Sequence, residues 1–239
     1  MSWIKEQNNL QGVAQEILAE HPAWTDFAHY CSERSEGRRK DALLALDDFL
    51  KSSGSWSFDD KRSFILWITG KSDEFFAKTW LIPHPLLQNL IVPALYEWIA
   101  LEPGNAEPHF LLGFHYYRSK DDGGPESHFR CAVYLNSSHQ RARYHLVQLI
   151  LRDIGYCHHE LPAWYLGQPD GDLARLREAC ALLAGVTDPD MYSECKQQLA
   201  ERESITRDWI EFEKAGAKNF ELWCHAKNRS YWFLKKCAS

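Results

Sequence analysis

No run of about twenty apolar residues occurs in this sequence; the nearest, LIVPALYEWIAL, is broken by Glu97, so a membrane-spanning helix is not expected. The amino-terminal MSWIKEQNNLQGVAQEILAEHPAW has neither a continuous apolar stretch nor a small-residue cleavage site. A secretory signal is therefore not expected, and the protein is expected to be cytoplasmic. The cysteines number seven and include no C-x-x-C, a pattern of reduced, mostly buried thiols rather than a disulfide framework. Net charge is −6, too small and of the wrong sign for a dedicated nucleic-acid binder.

Catalytic signatures are missing as well. The chain holds no G-x-S-x-G, no H-E-x-x-H, no Walker-type phosphate loop and no dinucleotide fingerprint. Acidic turns at Asp121 to Gly124 and Asp170 to Asp172 lack the ligand ladder of an EF-hand. These absences move the expectation from catalysis toward binding, with no catalytic residue, cofactor or metal expected.

What is present is a helical pattern. Glycine and proline total 23 and stand mostly as single punctuation between apolar-periodic stretches. With 45% hydrophobic and 13% aromatic residues, and tryptophans from Trp3 to Trp232, the chain has enough apolar surface for a sizeable core. The pattern predicts helices over 3–19, 25–35, 39–51, 58–69 and 72–80, an irregular stretch over 155–171, and a helix capped by Asp172 that runs to Ala184. Asp188 followed by Pro189 predicts a long helix to Lys214, and a last helix starts near Asn219.

An internal repeat organises part of this pattern. LEPGN at 101–105 and LNSSH at 135–139 place two leucines 34 residues apart. The segment 106–139 between them resembles a tetratricopeptide unit at Leu112, Gly113, Tyr116, Phe129, Ala132 and Leu135. Gly113 and Ala132 fall where the unit's two helices cross closely and a small side chain is needed. Fainter units cover 23–52, 72–105 and 140–171. The resemblance implies an all-α, tetratricopeptide-like helical repeat, one domain over 1–239, with non-repetitive helices at both ends. It also places Glu107, Phe110, Phe114, Tyr117, Arg118, Arg141, Tyr144, Gln148 and Arg152 along a concave groove. The carboxylate-clamp residues of the family are replaced by Phe110, Phe114 and Tyr144, so an aromatic groove rimmed by arginine is expected to contact protein.

Charge is uneven. From Asp188 to Glu213 there are eight acidic and three basic residues, whereas Lys214 to Ser239 carries six basic residues against Glu221 alone. On the long helix Asp190, Glu194, Glu201 and Asp208 fall on one side, while Met191, Cys195, Leu199 and Trp209 fall toward another. The stripe is either a solvated face or a contact for a basic partner. Seven of the eleven histidines lie between His109 and His159, alongside Cys131 and Cys157. Cys157, His158 and His159 are consecutive, and consecutive side chains converge poorly on one tetrahedral ion.

In overall character, an acidic chain of this size rich in cysteine and tryptophan resembles the immunity proteins of bacterial contact-dependent toxin systems (contact-dependent growth inhibition). That resemblance implies a cognate toxin domain as partner, plausibly a basic nuclease, blocked by occlusion of its active site. The alternatives are an adaptor binding a peptide or protein in the concave groove, and a metal-dependent enzyme built on the histidine-rich segment.

Overall fold

The computed structural model describes residues 3–74, 81–115 and 124–234, and among them every regular element is a helix. In order these are α1 (Trp3–Glu20), a short 3-10 turn (Pro22–Trp24), α2 (Thr25–Ser35), α3 (Arg39–Ser53), α4 (Phe58–Glu74), α5 (His84–Leu86), a π-helical stretch (Leu87–Ile91), α6 (Val92–Leu101), α7 (Ala106–His115), α8 (Gly124–Leu135), α9 (Gln140–Cys157), α10 (Pro169–Leu183), α11 (Pro189–Lys214) and α12 (Phe220–Ala226). No helix among the described residues is long and apolar enough to cross a membrane. The chain divides into two compact units, residues 1–122 and 123–239, and the division falls inside the 106–139 repeat.

In the first unit α2 lies against both α1 and α3, and α4 lies against α6 and the π-helical stretch. Its core is aromatic. Phe27, Phe49 and Phe64 are fully buried, with ring centroids 5.0–5.3 Å apart, and Trp24 and Trp56 close the group edge-on to Phe64 and Phe49. The turn from α2 to α3 takes three residues because Gly37 adopts φ +79°, the left-handed conformation that ends helices. The π-helical stretch has a local cause. Pro93, in the first turn of α6, has no N–H to donate, and the Val92 amide reaches five residues back to the Leu87 carbonyl. Residues 72–74 complete α4 rather than starting a new helix, and the rest of the 72–80 expectation lies outside the described residues.

In the second unit α9 packs against α8, α10 and α11. Leu146, Val147, Ile150 and Ile154 of α9 are buried at 3–4 spacing, as are Leu176, Ala179 and Leu183 of α10 and Cys195 and Leu199 of α11, two of the helices it packs against. Arg143 and Gln140 seal the α10–α11 turn. Arg143 donates to the Leu182 carbonyl (3.0 Å), while Gln140 accepts from the Thr187 amide (2.7 Å) and donates to the Gly185 carbonyl (2.9 Å). Asp188 then caps α11, its Oδ1 accepting from the amides of Asp190 and Met191. At 26 residues α11 extends about 39 Å. Its far half carries α12 and the segment after it, packed through Ile205, Trp209, Phe212, Phe220 and Cys224.

Candidate partner-binding surface

The residues singled out from the sequence separate once the side chains are placed. Phe110 and Phe114 are 0% and 4% exposed, their rings 5.7 Å apart inside the first unit. They are core residues here and do not line an open groove. Tyr117 and Arg118 lie outside the described residues.

Tyr144 and Glu194 are brought together. The Tyr144 hydroxyl donates to Glu194 Oε2 at 2.6 Å, and Gln148 Nε2 donates to Glu194 Oε1 at 3.1 Å. Two residues from the expected groove on α9 thereby hold a residue from the expected acidic stripe on α11. Glu194 itself is exposed, and Tyr144 and Gln148 are half-buried. Burial, then the hydrogen bond to Glu194 and its charge, push the Tyr144 phenol up to about 12, so it remains a donor at neutral pH. Glu201, seven residues along α11, is half-buried.

Asp208 departs from the stripe. It is 2% exposed and accepts both Arg229 Nη2 (2.9 Å, on Oδ1) and Arg229 Nε (2.8 Å, on Oδ2), with a further short hydrogen bond from the Tyr231 hydroxyl. Two causes act together. Heptad spacing drifts about 20° per seven residues on a straight helix, which turns Asp208 away from Glu194. The segment after α12 then folds back over that turn. Residues 123–239 carry 15 acidic and 15 basic side chains, against 18 and 12 in residues 1–122, so the acidity of α11 is local and the whole net charge sits on the first unit.

The histidine-rich segment disperses into separate roles. His139 Nδ1 accepts from the Ala142 amide at the start of α9, His145 stacks on Phe129, His115 meets Thr69, and His159 pairs with Glu160. Among the described residues the group close enough to share an ion is Glu16, Glu20 and His21, outside that segment. Glu16 there already accepts from Lys71 (2.8 Å) and Trp67 (3.1 Å).

A second constellation, not foreseen from the sequence, lies beneath the irregular stretch that follows α9. Arg202 Nη1 stands 3.4 Å from His158 Nδ1, and a guanidinium only donates, so Nδ1 accepts and the ring proton sits on Nε2. Nε2–H donates to Thr206 Oγ1 (3.0 Å), the Thr206 hydroxyl donates to Tyr165 (3.4 Å), and Tyr165 donates to Asp172 Oδ2 (2.9 Å). The relay runs one way, from a cation to a buried carboxylate, and every member has a partner. Burial, with the Arg202 charge, holds His158 down to about 3, so it is neutral. Burial and the adjacent Asp172 push the Cys157 thiol up to about 11. A Cys, a His and an Asp therefore stand close together, but the thiol is held protonated and both imidazole nitrogens are engaged elsewhere, an arrangement unsuited to a nucleophile and its base.

Asp172 also corrects an expectation: α10 begins at Pro169, and Asp172 turns inward to Tyr165 instead of capping the helix. Gly167 closes the site from above. A Cβ there would stand 2.2 Å from Asp172 Oδ2 and 2.7 Å from Cys157 Sγ. Gly167→Ala is expected to destabilise the second unit by about 1–3 kcal/mol, as overpacking does, read as a lower urea midpoint at unchanged m-value.

No protein-family model matches this chain, and neither a curated protein nor a solved structure matches it.

Proposed function

We propose that the chain is a protein-binding module on a tetratricopeptide-like framework of paired helices. In its specific form it is an immunity protein that occludes a basic toxin domain, plausibly a nuclease. The observation that carries the reading is the Tyr144–Gln148–Glu194 node. Two side chains hold an exposed carboxylate in one orientation, so an incoming Arg or Lys meets an acceptor whose rotamer entropy is already spent. Exposed Asp190 and half-buried Glu201 on the same side of α11 extend the acidic face, and like-signed carboxylates there raise the encounter rate with a basic surface. The rival adaptor reading draws on an aromatic groove at Phe110, Phe114 and Tyr144, of which Phe110 and Phe114 are buried and Tyr144 is half-buried.

The test begins with a pull-down of the tagged chain from its own cytosol and purification of the stoichiometric partner. Glu194→Lys with Glu201→Lys is then expected to slow association about tenfold or more at low salt and to flatten its salt dependence. Association unchanged in rate and in salt slope would sink the reading.

A further inference from the structure

The exposed edge of α9 runs from Gln148 through Arg152 to Tyr156 and on to His159 at spacings of four, four and three, so the Glu194 node continues into the stretch that follows α9. That stretch, 158–168, is irregular, yet it is pinned from below by the His158–Thr206–Tyr165–Asp172 relay and by the Leu166 amide bonding the Cys157 carbonyl at 2.9 Å. Above the relay it presents large apolar side chains to solvent. Trp164 and Tyr156 are each 70% exposed and Leu166 is 46% exposed. Between Arg152 and Arg175 the chain has no Lys or Arg, while Glu160 and Asp170 are exposed.

We infer that this loop is a preorganised recognition knob, Trp164 and Leu166 inserting into an apolar cleft with a basic rim on a folded protein partner. The inference rests on the protein-binding reading above and deepens it by naming the anchor and the shape of the partner's site. Three features select that occupant. Tryptophan is enriched at interface hot spots, and one held on a preorganised element has little conformational freedom left to lose on binding. Exposed Glu160, which pairs with His159, and Asp170 lie on a stretch without Lys or Arg, and they disfavour nucleic acid and anionic membranes and attract a basic rim. The buried relay supports an otherwise irregular loop in one conformation, which suits a preformed cleft. Thr206 and His158 are positioning residues: they touch no partner and act through Tyr165.

The test places a photo-crosslinking benzoylphenylalanine at position 164, and in a second full-length chain at position 148, in the native cytosol. The protein captured at 164 is purified and its Kd measured directly. Trp164→Ala is expected to weaken binding about 30-fold or more, as truncated anchors do, while Leu44→Ala, at another exposed apolar residue, in the first unit, leaves it unchanged. Thr206→Val is expected to speed amide exchange across 158–168 and to raise the partner's off-rate, and Thr206→Ser to restore both, which a simple loss of fold would not do. Capture at 148 but not at 164, or wild-type affinity in Trp164→Ala, overturns the knob and leaves the protein-binding reading standing. Capture at neither position overturns both. Capture at 164 of only a second copy of the chain, or Trp164-dependent binding to phosphatidylglycerol vesicles alone, also overturns the proposal.

Discussion

Replacing Phe220 with alanine is expected to lower the unfolding free energy of residues 123–239 by about 3–5 kcal/mol, the range for deleting a fully buried aromatic ring. Phe220 is 2% exposed and central to the packing at the far end of α11. Its ring meets Trp209 edge-on at 4.8 Å and Phe212 at 5.2 Å, and it stacks on Trp223 and Phe233, each at 5.9 Å. Deleting it removes a partner from α11, from α12 and from the segment after α12 at once. That segment also supplies Arg229 and Tyr231 to the buried Asp208, so loosening the rings exposes the carboxylate's partners to water. Urea unfolding followed by tryptophan fluorescence gives the measurement. Leu222→Ala on the same helix, at an exposed position, is the control and is expected to shift stability by less than about 0.5 kcal/mol. A loss below about 1 kcal/mol for Phe220→Ala would mean that α12 is an ornament of the unit instead of its cap.

The same region shows what a sequence does and does not make legible. Helix ends written in local chemistry were readable. Asp188 before Pro189 starts α11, and Asn219 starts α12 with its Oδ1 accepting from the Leu222 amide, because capping needs only residues within one turn. The end of α2 at Ser35 is readable from equally local chemistry, with Gly37 closing it. Direction was harder. Apolar spacing says that Phe110 and Phe114 share a face but not whether another helix covers it. Asp208 reads as one more carboxylate on a charged stripe, and only the fold-back of a segment more than twenty residues later puts it inside.

The relay lay further from view. His158 and Tyr165 are neighbours of an irregular stretch, Asp172 is a plausible cap, and Thr206 sits mid-helix where a β-branched hydroxyl carries no signal. Their meeting depends on how α9, α10 and α11 pack. One cue is present in the sequence: the loop carries Trp164, Tyr165 and Leu166 in succession, more apolar surface than a solvated connection requires. Glu194 is exposed and Tyr144 half-buried, and nothing in the sequence marks the two as facing each other. That they form one node followed from packing of α9 on α11, for which the sequence offers no local rule.

The relay also sets a pH dependence. In the unfolded chain the His158 imidazole takes its ordinary value of 6.5, while in the folded chain burial and Arg202 hold it to about 3. Between those values the unfolded state binds a proton that the folded state refuses, so stability is fully present above pH 6.5 and is lost as pH falls toward 3. The slope is about 1.4 kcal/mol per pH unit, or about 2.7 kcal/mol between pH 6.5 and 4.5. Carboxylates act elsewhere on the scale. Glu178, held below 4.5 by the hydrogen bond from Arg130, keeps its contribution down to about pH 4.5 and loses it only in more acid solution, below the window in which His158 acts. His158→Gln preserves an N–H that can donate to Thr206 without the titration. Urea unfolding at pH 7.0, 5.5 and 4.5 is expected to show the wild-type second unit losing stability across the series and the variant staying nearly level. If both fall in parallel, His158 is protonated in the folded chain, Nδ1 cannot accept from Arg202, and the one-way relay that holds the Trp164 loop does not exist in the form described.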